Sequence, residues 1–414
     1  MKRILHLINL YPPYVVGGNE MLAYDIVNAL RARGHDVHVL TARGPKLDAL
    51  PHVHQVFNYR LEDKDALFQG GRVLSLSELF RHHVFDAVTY RNVRRVVREL
   101  QPDLVIIDNQ YMASTAPLLA VRGARCPVIA QIADKWMIYL LRNLGLLLHP
   151  GTQSLQWLLG GYVHLVQPLL WRMGQPDEIL SISAFIKQFY VESGFPAERI
   201  TPTYLGVDTA LYQPRSEPHS GDNHLEVVFA GQLWEGKGPQ VLIEALGLLR
   251  KREPDLVLKL RLIGEGNDRF KQHLHRKIEL HGLEDRTIFD GFVTLEHLAE
   301  RLRSGDIYVF PSTWDEPFSI TLVAAMASGI PIVATNTGGT PEAFEDGIAG
   351  ILIPPKDPEG LADGISKLAR SPALRNRLSQ AAVADSRQRW SFDAYIDRLE
   401  QHYLDAIERH QEAG

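Results

Sequence analysis

Residues 3–40 read RILHLINLYPPYVVGGNEMLAYDIVNALRARGHDVHVL. Arg3 to Leu10 is a short apolar run, and a Pro/Gly-rich loop, Tyr11 to Gly18, follows it. From Glu20 to Arg33 the apolar residues Leu22, Ile26, Val27 and Leu30 share one face at helical spacing. Gly34 is placed to end that helix in the left-handed cap conformation, and Val37 to Leu40 is the next apolar run. Strand, loop, helix and strand in this order open a parallel sheet.

The pattern recurs along the chain. Leu104–Ile107, Pro127–Ile132 and Ile179–Ser183 read as buried strands, Ala113–Val121 as a helix, and Tyr204–Asp208 closes the first half. Gln213–His224 (QPRSEPHSGDNH) is polar and has no apolar period, so it reads as part of a linker. A second alternation follows, with strands expected at Val227–Ala230, Val257–Ile263, Ile307–Phe310, Pro331–Ala334 and Gly350–Ile353. Helices are expected at Pro239–Arg250, Asp268–His281, Leu295–Arg303, Ile320–Ser328, Glu359–Ala369, Ala373–Arg387 and Phe392–His410. The fold class is therefore α/β, with two Rossmann-like doubly wound domains. The expected domains are 1–212 and 213–390, with a final helix in 391–414 packing back on the first. Doubly wound domains bind ligands beyond the C-terminal ends of their strands, so two that face each other would line one central cleft. A transferase, a dehydrogenase and a hinged binding protein all suit that layout.

Composition narrows the choice. At 414 residues the chain has material for two cores, and its formal net charge of −5 argues against a nucleic-acid partner. The one basic run puts Arg91, Arg94, Arg95 and Arg98 along one side of a helix, which reads as a solvated face or a patch for anionic headgroups. Cys126 is the single cysteine, so neither an internal disulfide nor a cysteine-rich metal site is available. The N-terminal run is short and lacks a small-residue cleavage site, and no clean apolar run of about 18 residues occurs. These features suggest a cytoplasmic protein, with peripheral contact on the inner membrane face as a further option. The broken apolar segment 144–171 reads either as buried helices or as a membrane-leaning, acceptor-gripping surface.

Four clusters carry candidate chemistry. Gly17-Gly18-Asn19-Glu20 stands at a strand-to-helix junction, where glycines let a ligand approach and helix N–H groups meet an anion; a plain tight turn gives the same pattern. It is not GxGxxG, which counts against a dehydrogenase. Residues 231–238, GQLWEGKG, follow a strand and open a helix, so Lys237 can reach a diphosphate or simply sit on a capped helix. The stretch 311–333, PSTWDEPFSITLVAAMASGIPIV, sets Glu316 just before a helix whose first N–H groups come from Phe318 to Thr321. A carboxylate beside an anion site repels phosphate but accepts hydrogen bonds from sugar hydroxyls; a helix cap is the simpler reading. Thr337-Gly338-Gly339-Thr340-Pro341-Glu342 closes over a ligand or caps a helix.

Together, and in this order, the clusters resemble the retaining glycosyltransferase family 4, of GT-B fold, over nearly the whole chain. Ser183 and Gly206-Val207-Asp208 fit its weaker signatures. The resemblance implies a hexose-type transfer from a nucleoside diphosphate sugar, UDP-sugar ahead of GDP-sugar, with the anomeric configuration retained. It implies that Lys237 neutralises the diphosphate and that Gly17 and Gly18 approach phosphates and sugar. It also implies that Glu316 holds sugar hydroxyls, that Phe318, Ser319 and Ile320 offer backbone groups, and that the loop around Phe292 and Val293 holds the base, largely through backbone groups. No cofactor or metal is expected. The acceptor, whether a glycan, a lipid-linked sugar or a small metabolite, carries no readable code.

Three positions depart from the family pattern. Gln232 stands where arginine is frequent, and Ala133 where a histidine precedes Asp134, which is the expected acceptor or sugar contact. The family's second glutamate, seven residues beyond the first and normally on the ribose, is replaced by Ala324. A charge-assisted hydrogen bond lost there weakens donor binding roughly ten- to hundredfold. A non-catalytic nucleotide-sugar-binding protein and a sugar-nucleotide epimerase on the same fold therefore stand as alternatives.

Overall fold

The computed structural model describes residues 1–15, 18–60, 76–110, 113–142, 166–217 and 224–413. The chain divides into two compact units, Met1–Thr203 with Ile396–Gly414, and Tyr204–Tyr395.

The first unit is built on seven strands: β1 (Arg3–Leu7), β2 (Asp36–Arg43), β3 (Val53–Arg60), β4 (Leu104–Ile107), β5 (Val128–Ile132), β6 (Glu178–Ser181) and β7 (Ile200–Pro202). They lie in the order β3-β2-β1-β4-β5-β6-β7, every pair parallel. Between β1 and β2 runs the helix Gly18–Ala32, which buries Ala23, Ile26, Val27 and Leu30. Gly34 closes it at φ +88, with its N–H on the Arg31 carbonyl, as the sequence predicts. Asp86 caps the helix Ala87–Leu100, which turns Val93, Val96 and Val97 inward and leaves all four arginines of the basic run exposed.

The helix Phe392–Ala413 crosses from the second unit into the first. There it buries Ile396, Leu399, Tyr403, Ala406 and Ile407. Arg33 bonds Asp397 and Glu400, and Glu178 bonds His402 and Arg409.

The second unit has six parallel strands: β8 (His224–Ala230), β9 (Val257–Ile263), β10 (Thr287–Gly291), β11 (Ile307–Phe310), β12 (Ile332–Thr335) and β13 (Ile351–Ile353). Their order, β10-β9-β8-β11-β12-β13, reverses direction between β8 and β11. On this sheet pack the helices Pro239–Arg252, Asp268–His281 and Pro358–Ala369, whose inward residues form one core with the strands.

Three strands differ from expectation, and all three are sheet edges. Val53–Arg60 and Thr287–Gly291 were not expected, and the run expected at Tyr204–Asp208 gives way to a strand at Ile200–Pro202. An edge strand has one bonded neighbour and a partly wetted surface, so it lacks the continuous apolar run of a central strand. His224, expected in the linker, opens β8. No helix among the described residues is long and apolar enough to cross a membrane. Gly17 and residues 144–165 of the apolar segment lie outside the described residues.

Candidate active site

In the second unit the chain leaves β8 through Gly231 to Trp234, makes a single 3-10 turn at Glu235–Lys237, and enters the helix Pro239–Arg252 through Gly238. Gly238 has φ +73, and a Cβ there would lie 1.9 Å from the Pro311 carbonyl oxygen. Only glycine lets the β8 loop press this closely on the loop after β11.

Hydroxyls fasten the two loops. Ser312 donates to the Gly236 carbonyl (3.1 Å), and Thr313 donates through its N–H to Gly236 (2.8 Å) and through its hydroxyl to Glu235 (3.1 Å). Thr335 donates to the Ser312 carbonyl and Thr337 to that of Trp314. The 337–342 loop closes behind: the Gly339 N–H donates to the Glu316 carbonyl at 2.7 Å, and Gly338, at φ +56, lies against the Glu316 backbone.

The result is a pair of opposite charges at the strand-order reversal, where doubly wound sheets take their ligands. Lys237 Nζ lies 2.6 Å from Glu316 Oε2, and the Trp314 indole N–H donates to the same oxygen at 2.9 Å. Glu316 is only 4% exposed. The ammonium is also 5.7 Å from the ring centres of Phe310 and Trp314, within cation–π range. Trp234 meets Trp314 edge to face, which fixes the indole that orients Glu316. Trp314 is the site residue the sequence reading assigned no role; its position two residues before the carboxylate was the available signal.

Ser319 caps the helix Ile320–Ala327 by accepting the Leu322 N–H. Phe318 is buried against Tyr204 and Trp390, while Ile320 is exposed at the helix start. Ala324 is buried inside this helix at 2% exposure. Gln232 is exposed, and its neighbours are anchored by backbone bonds: Gly231 N–H to Ile263 and Leu233 N–H to Glu265. Beyond β10, Phe292 is 84% exposed and Val293 half-buried. Thus Lys237 and Glu316 come together, Gln232 shares the Lys237 loop, and Phe292 and Val293 stand on a different loop.

In the first unit, Gly18 opens its helix and Glu20 is buried in the first turn. Asp134 follows β5 and accepts the Trp136 N–H at 2.7 Å, while its own carbonyl takes the Tyr190 hydroxyl. Burial pushes the Asp134 carboxyl above the ordinary carboxylate range, against the pull of that N–H. Three further buried polar atoms near the C-terminal ends of β4 and β5, Gln110 Oε1, Gln131 Oε1 and Trp136 Nε1, have no partner among the described residues. His6 of β1 pairs through Nε2 with Asp108, just past β4, at this sheet's own strand-order reversal.

Comparison with known proteins places this geometry. A D-inositol 3-phosphate glycosyltransferase of Paenarthrobacter aurescens is 34% identical over 196 residues, 46% of this chain and 48% of that protein. This chain thus spans about half the length of that relative. A glycogen synthase of Mycobacterium tuberculosis is 28% identical over 94% of this chain and 91% of its own. Among solved structures, Anabaena HepE in complex with UDP superimposes with a TM-score of 0.73 at 22% identity, covering 98% of this chain and all of that one. A sucrose-phosphate synthase of Thermosynechococcus elongatus gives 0.74 at 16% identity, over 99% of this chain and 100% of that one. The model for glycosyltransferase family 4 matches residues 16–211, and that for glycosyl transferases group 1 matches residues 214–385. With both halves matched in family order and both sheets of the GT-B kind, the chain belongs to glycosyltransferase family 4.

Proposed function

We propose that this protein moves a hexose-type sugar from a nucleoside diphosphate donor, UDP-sugar ahead of GDP-sugar, to an acceptor, with retention of anomeric configuration and without a metal. The contact between Lys237 and Glu316 carries the proposal. A donor entering at the strand-order reversal separates the pair: the ammonium turns to the diphosphate, and the carboxylate accepts from sugar hydroxyls. Because the loops beneath are already fastened, little reorganisation accompanies the charge that builds on the leaving phosphate. The acceptor attacks from the face the diphosphate leaves, and the leaving phosphate oxygen takes the proton. Catalysis then rests on positioning and charge stabilisation.

Phe292, open to solvent beyond β10, suits stacking on a base, and Asp134 with Gln110, Gln131 and Trp136 suits an acceptor hydroxyl. The UDP held by HepE supports the choice of donor class. The proposed place of work is the cytoplasm, with peripheral membrane contact if the acceptor is lipid-linked.

Titration calorimetry with UDP and with GDP, on the wild type and on K237A, tests the donor site. The expected result is binding of UDP that K237A weakens; a wild type that binds neither nucleotide removes the proposal. NMR of the glycosylated product then reads the anomeric configuration. A second reading, a nucleotide-sugar binder that no longer transfers, is favoured by Ala324, which puts a buried methyl where the family places a carboxylate.

A further inference from the structure

Asp36, His38, His52 and His54 stand on one face of the neighbouring strands β2 and β3. Residues two apart on a strand share a face, which sets Asp36 with His38. The parallel register pairs Leu40 with His54 and Val39 with Val53, so His52 falls beside His38. His52 immediately precedes β3 at φ +57, and its carbonyl holds the Val39 N–H at 2.8 Å.

Three donor atoms converge there. His38 Nε2 is 3.1 Å from Asp36 Oδ1, His52 Nδ1 is 3.4 Å from the same oxygen, and the two nitrogens are 3.4 Å apart. Ligands at zinc's usual bond lengths of about 2.0–2.1 Å sit at the corners of a tetrahedron whose edges are about 3.3 Å. The triangle therefore has the size of one face of a zinc coordination sphere. We propose that Asp36, His38 and His52 bind a single divalent transition ion, zinc foremost, with water as the fourth ligand.

The surrounding bonds orient the two inner ligands. His38 Nδ1 lies 3.0 Å from His54 Nε2, so a proton on Nδ1 is held by His54 and Nε2 is left with its lone pair towards the ion. Arg3 Nε donates to Asp36 Oδ2 at 2.8 Å, which leaves Oδ1 as the ligating oxygen. A simple imidazole–carboxylate pair explains one histidine on Asp36 but not a second nitrogen close to both. His52 is half-exposed, which gives an ion and its water a way in. Imidazole with carboxylate in four-coordinate geometry suits zinc, and copper or nickel next. Asp36 begins β2, so the ion would lie at the opposite end of the sheet from its ligand-binding loops, pinning edge strand β3 rather than touching the transferred sugar.

The full chain, stripped with a chelator and dialysed, is titrated with zinc chloride by calorimetry. The expected result is one ion per chain, with affinity about a hundredfold or more weaker in H52N and in D36N and unchanged in H297Q, an exposed histidine elsewhere. H54Q, a positioning variant, keeps one ion per chain at roughly tenfold lower affinity. Cobalt in place of zinc gives the intense visible bands of a four-coordinate ion in the wild type, H54Q and H297Q, and not in H52N or D36N. Asparagine tolerates the left-handed backbone at position 52, and D36N provides a second variant if H52N does not fold. No stoichiometric ion in the wild type, or wild-type affinity in whichever of H52N and D36N folds, overturns the site.

Discussion

Lys237 Nζ lies 2.6 Å from Glu316 Oε2, so the cation proposed for the diphosphate and the carboxylate proposed for the sugar neutralise each other in the free protein. Each keeps the other's burial tolerable until a donor replaces both contacts. K237A should leave Glu316 with the Trp314 indole as its remaining side-chain partner among the described residues. The expected cost is about 2–3 kcal/mol in urea unfolding, with UDP affinity about ten- to hundredfold lower by calorimetry. E316Q keeps an acceptor and loses the charge, so stability should change by less than about 1 kcal/mol. Turnover of the nucleotide sugar should fall far more than UDP affinity does.

Gly338 is held at φ +56 with its missing Cβ 2.1 Å from the Glu316 carbonyl oxygen. G338A forces that backbone apart and strains its own. The expected loss is about 1–3 kcal/mol of stability together with weakened donor binding, read from the melting temperature with and without UDP. A variant that melts like the wild type and binds UDP normally would show that the 337–342 loop does not position Glu316.

Asp134 gives a pH signature. In the unfolded chain its carboxyl ionises near pH 4, but in the fold burial raises that value, so the folded state binds the proton more tightly. Its contribution is favourable at low pH and is lost as pH rises from the unfolded value through the folded one. D134N keeps an acceptor for the Trp136 N–H without the charge. It should be more stable than the wild type at neutral pH, with the difference closing as pH falls towards about 4. If Asp134 also touches the acceptor or sugar, the same variant is less active, which melting curves and product formation at pH 7 separate.

Ala324 is the simplest position to convert. A324E places a carboxylate inside a buried helix, so the nucleotide-free protein should lose stability, and UDP should restore part of it. If the ribose lies here, UDP affinity rises roughly ten- to hundredfold. Unchanged affinity in a folded A324E would mean that the nucleotide is held without this position.

Much of the central architecture was legible because a strand covered on both faces must be apolar throughout. Val257–Ile263 and Ile307–Phe310 coincide with their expected limits. The wetted edge strands Val53–Arg60 and Thr287–Gly291 mix polar and apolar residues and did not stand out. In the site, glycines at a strand-to-helix junction marked the Lys237 loop, since close backbone approach has a residue requirement that can be read locally, and a carboxylate just before a helix start marked Glu316. The edge-to-face contact of Trp234 with Trp314, eighty positions apart, has none. Nor did Asp36-Val-His38 and His52-Val-His54 draw notice. Each is a plain alternation until the β2–β3 register brings the two onto one face.

The helix Phe392–Ala413 has a bearing on biosynthesis. The first unit takes Ile396, Leu399 and Tyr403 into its interior from a segment made nearly two hundred residues after Thr203. As the ribosome works from the N-terminus, the first unit lacks that segment throughout the synthesis of Tyr204–Tyr395. Its core therefore closes only with residues that are made after the whole of the second unit.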